Sequence, residues 1–218
     1  MKEPRKHNNT TKTFGRRIGK SLTATNKRVL QEVLPKYLYT LEKINTSSQK
    51  KIYLEIGFGM GEHFIHQILS NPDNLYIGAE VYLNGVANVL KNLSSDNFLI
   101  WPDDIDLILS DLLNNSISGV YILFPDPWHK RKYLPKRLLN QNRLNLLKNK
   151  LTDDGFISFA SDIEDYFASS QRLLTNNNFV PISQDYSKAY DGYINTKYHN
   201  KAIKEERKVQ FITSVLEK

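Results

Sequence analysis

Cysteine is absent from the 218 residues. That excludes disulfides, a thiolate nucleophile and cysteine-ligated zinc, and it is compatible with the reducing cytoplasm where the chain is expected to work. No apolar run approaches the roughly 18 residues of a membrane-spanning helix. The first residues also lack the apolar core of a secretory leader. No membrane partner is expected, and no grouping of residues is read as a metal site. Internal repeats and low-complexity domains are missing too. The length suits one α/β domain with a full core and is too short for two comfortable ones.

What is present is basic. Thirty Lys and Arg against 23 Asp and Glu leave a formal charge of +7, which favours an anionic partner, nucleic acid first. The competing reading of part of that excess is a coding bias toward Lys and Asn, as in an AT-rich genome. Residues 1–20 read as a polar, basic tail, with Lys12, Arg16, Arg17 and Lys20 around Phe14. Such a tail is expected to be disordered when free, serving either to fold against RNA or simply to solubilise. Residues 21–218 are expected to form the single domain.

Apolar periodicity organises that domain. A helix is expected over Lys27 to Tyr39, then a polar connector from Asn45 to Gln49. Strands are expected near 52–56, 75–79, 97–101, 119–124 and 156–160, alternating with helices near 62–69, 82–92, 105–113, 137–150 and 163–176. Such alternation predicts a mostly parallel sheet covered on both faces. Two further strands are read around Phe179-Val180 and from Val209 to Val215.

Two strand ends carry the chemistry. Lys51-Ile-Tyr-Leu-Glu-Ile-Gly-Phe-Gly-Met-Gly61 reads as a strand, a glycine turn and a helix start. Alone such a turn fits NAD, nucleotide or S-adenosylmethionine sites. The Gly57-x-Gly59-x-Gly61 spacing is shorter than the dinucleotide pattern. Glu55 before it would repel a pyrophosphate yet suits a sulfonium with an amino-acid tail. Glu80, ending Leu75-Tyr-Ile-Gly-Ala-Glu80, stands about where an acid meets ribose hydroxyls. S-adenosylmethionine is therefore the expected cofactor.

The second strand end is Phe124-Pro-Asp-Pro-Trp-His-Lys130. Its two prolines cannot continue a strand, so they hold Asp126 and Trp128 on a rigid loop at a sheet's ligand-binding end. Arg131, Lys132, Lys136 and Arg137 follow and are read as phosphate contacts. Trp128 suits base stacking or plain local packing equally.

These motifs together resemble the bacterial tRNA (guanine-N7)-methyltransferase family, over nearly the whole chain from about Phe14. The resemblance implies a Rossmann-like, seven-stranded methyltransferase sheet, mostly parallel with an antiparallel C-terminal strand. It also implies tRNA as partner and methylation of the variable-loop guanosine at tRNA position 46. Ala160-Ser-Asp162 and Thr196-Lys-Tyr198 fall where the family carries its substrate-contacting acid and its late Thr motif. Asp126 is expected to lie closest to both methyl donor and guanine, with Asp162 as a second clamp. Either Asp103 or Asp104 should meet the adenine, Asp104 being favoured. Lys130 should reach the substrate, and Thr196, Lys197 and Tyr198 should close over it on a loop. One position departs from the family pattern, which usually has Glu directly after that aromatic: here it is His199. Tolerance of a neutral imidazole is expected there.

The remaining readings are a dehydrogenase, an adenine- or cytosine-N-methylating enzyme or protein methyltransferase, and an RNA-binding module retaining the fold. Glycine spacing argues against the first. The Asp between the two prolines argues against the second, whose motif is usually polar-Pro-Pro-aromatic.

Overall fold

The computed structural model describes residues 21–45 and 50–217. The basic tail 1–20 and most of the polar connector before the first strand lie outside the described residues. Seven strands form one sheet: β1 (Ile52–Ile56), β2 (Leu75–Ala79), β3 (Phe98–Trp101), β4 (Ile117–Leu123), β5 (Leu151–Ser161), β6 (Phe179–Pro181) and β7 (Gln210–Leu216). Their order is β3-β2-β1-β4-β5-β7-β6. The pairs β1·β2, β1·β4, β2·β3 and β4·β5 are parallel, whereas β7 runs antiparallel to both β5 and β6. The expected sheet is thus present, with β7 inserted between β5 and β6.

Helices α1 (Ala24–Glu32), α2 (Leu34–Tyr37), α3 (Leu41–Asn45), α4 (Glu62–Ser70), α5 (Leu83–Asn92), α6 (Asp106–Leu109), α7 (Gln141–Lys150), α8 (Glu164–Thr175) and α9 (Lys197–Lys204) complete the described elements, with a 3-10 helix over Arg131–Lys136. The expected first helix is split, because Pro35 in the first turn of α2 has no N–H to extend the preceding helix. α6 is one turn where a longer helix was expected. The helix expected from Arg137 starts later: a 3-10 helix containing Pro135 ends at Lys136, residues 137–140 are irregular, and α7 starts only after Asn140 caps it through Arg143 N.

Strand alternation sorts the core. Leu54, Ile56, Ile77, Val120, Ile122, Ile157 and Phe159 face one way and pack with Leu144, Leu147, Tyr166 and Phe167 from α7 and α8. On the other face Tyr76, Phe98 and Ile100 pack with Phe64, Ile68, Val86 and Val89 from α4 and α5. Chain order along the sheet reverses between β1 and β4, the place where such sheets open a ligand crevice. The glycine turn leaves β1 there, beside the Pro-Asp-Pro loop leaving β4.

Candidate active site

The turn after β1 runs through Gly57, Gly59 and Gly61, all at positive φ. Gly59, at φ +58°, aims its N–H at Glu80, whose Oε2 accepts it at 2.6 Å. The same carboxylate takes the Tyr82 N–H through Oε1 at 2.7 Å. A helix must start close behind this turn. Gly85 permits it, since a Cβ there would lie 1.8 Å from Gly59 O. Glu80 is 7% exposed. Burial pushes its carboxyl above the usual range, against those backbone bonds, and the charge of Asp126 adds to the rise.

Asp126 reaches this cluster from β4. Phe124 N–H donates to Ala160 O at 2.8 Å, so the Asp126 loop and the Ser161-Asp162 end of β5 leave the sheet side by side. Phe124 and Trp128 both adopt left-handed backbone, φ 51° and 46°. Non-glycine residues rarely do so, and such strain gathers at functional loops. Asp126 also raises the Tyr198 hydroxyl, after burial and ahead of Glu80. Tyr198 lies over the turn: a Cβ on Gly59 would meet its ring at 3.6 Å. Glu80, Asp126, Gly59 and Tyr198 therefore share one site.

Thr196, Lys197 and Tyr198 were expected on a loop; they open α9 instead. Thr196 is its N-cap, and Thr196 Oγ1 accepts the His199 N–H at 3.3 Å. Position 199 is thus the third helical residue. A Glu there would complete the reciprocal Thr-x-x-Glu capping pair, which the Thr196-Lys-Tyr-His199 of this chain lacks. His199 instead accepts or donates at Nδ1 with Tyr193 OH, 2.9 Å away, and packs near Phe124 and Phe211. Burial lowers its pKa, disfavouring the imidazolium.

Other expected residues land as follows. Asp162 is paired with Arg207 at 2.9 Å, and Arg207 also meets Glu205 at 2.8 Å. Asp104 is fully buried and its carboxylate takes the Asp106 N–H, whereas half-buried Asp103 takes the Asp104 N–H. Glu55 is buried and turned to α4, with Oε2 2.7 Å from His63 Nδ1. His63 was not foreseen, although its place eight residues beyond Glu55 across the turn was legible. Lys130, Arg131 and Lys132 are exposed. Lys132 and Lys136 bracket the Tyr133 ring at 4.9 and 4.5 Å, and Lys136 also stands over Trp128. Trp128 packs edge-on against Tyr133, which is the local-packing reading.

Arg137 must leave the phosphate-contact group. Its guanidinium is buried over the Tyr166 ring. Nε donates to Pro127 O at 3.0 Å, and the two terminal nitrogens meet Ser169 Oγ at 2.9 Å and Asp165 Oδ2 at 2.5 Å. The side chain thus ties the Pro-Asp-Pro loop, through Nε, to α8, through its terminal nitrogens.

A family model described as a putative methyltransferase matches residues 49–212. A tRNA (guanine-N(7)-)-methyltransferase of Wolbachia pipientis is 39% identical over 190 residues, 84% of each chain. The chain belongs to the tRNA (guanine-N7)-methyltransferase family. A Brucella anthropi protein of the same name is 32% identical over 217 residues, 93% of each chain. The bifunctional methyltransferase of Rickettsia typhi is 55% identical over 209 residues, covering 94% of this chain and 40% of its own length. The chain thus spans about two fifths of the rickettsial proteins it matches. Among solved structures, the 16S rRNA methyltransferase KamB superposes with a TM-score of 0.62 at 10% identity, over 83% of this chain and 95% of that one. This likeness shows that the two share a fold. Among the described residues, no helix is long and apolar enough to cross a membrane.

The site fits S-adenosylmethionine. A carboxylate offers about four lone-pair sites, so Glu80 retains acceptor capacity for hydroxyl donors after serving two amides. Glu80 and Asp126 bring two carboxylates near one another, which suits a cationic ligand, and the glycine turn lets a ligand approach backbone.

Proposed function

We propose that this chain transfers a methyl group to N7 of a guanosine in tRNA, the variable-loop guanosine being its target. The observation that carries the proposal is the convergence of Gly59, Glu80, Asp126 and Tyr198 at the reversal of strand order. S-adenosylmethionine, when bound, supplies an electrophilic methyl on a cationic sulfur.

Glu80 holds the ribose end while shaping the glycine turn. The Asp103-Asp104 turn after β3 lies at the adenine end, and Glu55 supports the amino-acid end from beneath. Guanine N7 carries a lone pair and no proton, so no residue has to act as a base on it. The protein's task is placement and charge. Asp126 holds guanine through its N1 and N2 donors and stabilises the positive charge that develops on the ring. Asp162 is the second clamp, oriented by Arg207. Thr196, Lys197, Tyr198 and His199, in the first turn of α9, cover the bound base, with Lys130 at its edge. Arg131, Lys132 and Lys136 meet phosphates.

Incubating the protein with unmodified tRNA and S-adenosylmethionine, then analysing nucleosides by mass spectrometry, tests this reading. The expected product is 7-methylguanosine. A methylated adenine or cytosine would refute it, as would absence of any methylation.

A further inference from the structure

A buried hydrogen-bonded chain of Glu55, His63 and Tyr190 lies beneath the site, and the methyl transfer above gives its last two members no role. His63 is 2% exposed, on the buried side of α4 with Phe64, Gln67 and Ile68. Its Nδ1 meets Glu55 Oε2 at 2.7 Å, and its Nε2 hydrogen-bonds the Tyr190 hydroxyl. In the tautomer that serves both contacts, Nδ1–H donates to the Glu55 carboxyl oxygen and Nε2 receives the Tyr190 O–H. Burial holds that phenol well above its usual pKa, so it remains a donor. The rings of Tyr121 and Tyr193 pack against the imidazole and restrict its tilt.

One turn along α4, Gln67 Nε2 donates to Gly192 O at 2.9 Å. Positions 63 and 67 share a helix face, so α4 grips the segment 190–192 at two points. That segment continues into Tyr193, whose hydroxyl meets His199, and Thr196, which caps α9. Tyr198 then stands over Gly59. The path thus begins at the acid preceding the glycine turn and returns above that turn. Burying an imidazole and a phenol gains little over apolar side chains of the same shape. Their directional bonds fix an orientation that apolar packing does not specify.

We propose that His63 is a positioning residue: it ties Glu55 to Tyr190, so that an occupied glycine turn holds the Thr196–His199 segment in place for tRNA. Cofactor and tRNA then bind cooperatively through this relay. The role rests on the methyl transfer proposed above, with S-adenosylmethionine and tRNA as the two ligands.

Tyr190→Phe removes one oxygen and preserves the ring, and His63→Asn keeps a donor toward Glu55 while losing reach to Tyr190. S-adenosylhomocysteine is titrated into each protein with and without tRNA, and amide hydrogen exchange is followed over 190–199. In the wild type, each ligand should tighten the other by roughly fivefold or more, and S-adenosylhomocysteine should protect 190–199. In both variants the mutual tightening and that protection should disappear, while exchange in β1 and β4 stays as in the wild type. The KM for tRNA should rise several-fold with kcat changed less. Retained cooperativity and protection in Tyr190→Phe would overturn the proposal, as would loss of protection spread evenly over the whole sheet. A wild type that binds S-adenosylhomocysteine but does not methylate tRNA refutes the proposed function, and the exchange comparison still decides the relay.

Discussion

The backbone N–H of Gly59 donates to Glu80 at 2.6 Å, so the acid at the end of β2 shapes the glycine turn after β1. Its loss removes a ligand contact and a support of the turn together. Glu80→Ala should weaken S-adenosylmethionine binding about tenfold to hundredfold, on the scale of about 1.5–3 kcal/mol for bonds to a charged acceptor. Gly59→Val should abolish binding in a folded protein, because a β-branched residue is strained at φ +58° and its side chain would enter the space below Tyr198. Calorimetric titration of both variants checks this, and wild-type affinity in Glu80→Ala would remove Glu80 from the site.

Glu80 also predicts a pH dependence. Burial first, and Asp126 in addition, raise its folded pKa above 4.5. As pH falls, it takes up a proton earlier than an ordinary carboxylate and loses acceptor capacity, so cofactor affinity should drop. Folding shows the opposite sign. The folded state binds this proton more tightly than the unfolded chain, so the contribution of Glu80 to stability is lost as pH rises through that raised pKa. Titrations across the acid range should show the affinity loss in the wild type and a flatter profile in Glu80→Gln.

Asp126→Ala should lower turnover by about 10²–10³ while tRNA affinity changes far less, the loss expected for one preorganised charged contact. Asp126→Asn keeps an acceptor and discards the charge, so it separates hydrogen-bonding shape from electrostatics. Single-turnover rates equal to wild type in both variants would exclude Asp126 from the chemistry.

Arg137 and its neighbours in sequence should respond differently. Replacing Arg131, Lys132 and Lys136 by Ala should reduce the salt dependence of tRNA binding, by up to about 0.9 in slope for each phosphate no longer neutralised. Arg137→Met should leave the slope alone, lower the melting temperature and reduce turnover, since it frees Pro127 O and unbraces the Asp126 loop. A salt series on the two proteins checks the division. A slope reduced by Arg137→Met would return that residue to the RNA surface.

Sequence patterns revealed the sheet and the two strand-end motifs because strands buried on both faces are near-continuous apolar runs and glycine and proline mark their ends. Burial of individual polar groups was not legible. Arg137 reads as one more cation in a basic run until the Tyr166 ring and the Pro127 carbonyl are seen beside it. His63 lies among helix-forming residues with nothing local to mark its contact with Tyr190, 127 positions away. The α9 helix has few apolar residues, so periodicity missed it, while its Thr196 cap lay hidden inside a motif read for substrate contact.

His199 unites the cap, the aromatic cluster and the departure from the family pattern. Its folded pKa lies below 6.5 because burial disfavours the imidazolium. The unfolded chain therefore binds the proton more tightly than the folded one. Stability from this group is fully present above the unfolded value and declines as pH falls through about 6.5, until the folded imidazole also titrates. Activity should follow the same direction, since burial disfavours the imidazolium and a neutral imidazole adds no positive charge to the site. His199→Glu should retain or raise activity, because a third-position Glu can reach back to the Thr196 N–H and favours the positive end of α9. Melting temperatures of wild type and His199→Gln between pH 5 and 8 measure the effect, the wild type losing more stability on acidification. Parallel profiles, or an inactive His199→Glu, would mean that position 199 meets the substrate through its imidazole and not through the helix it helps to start.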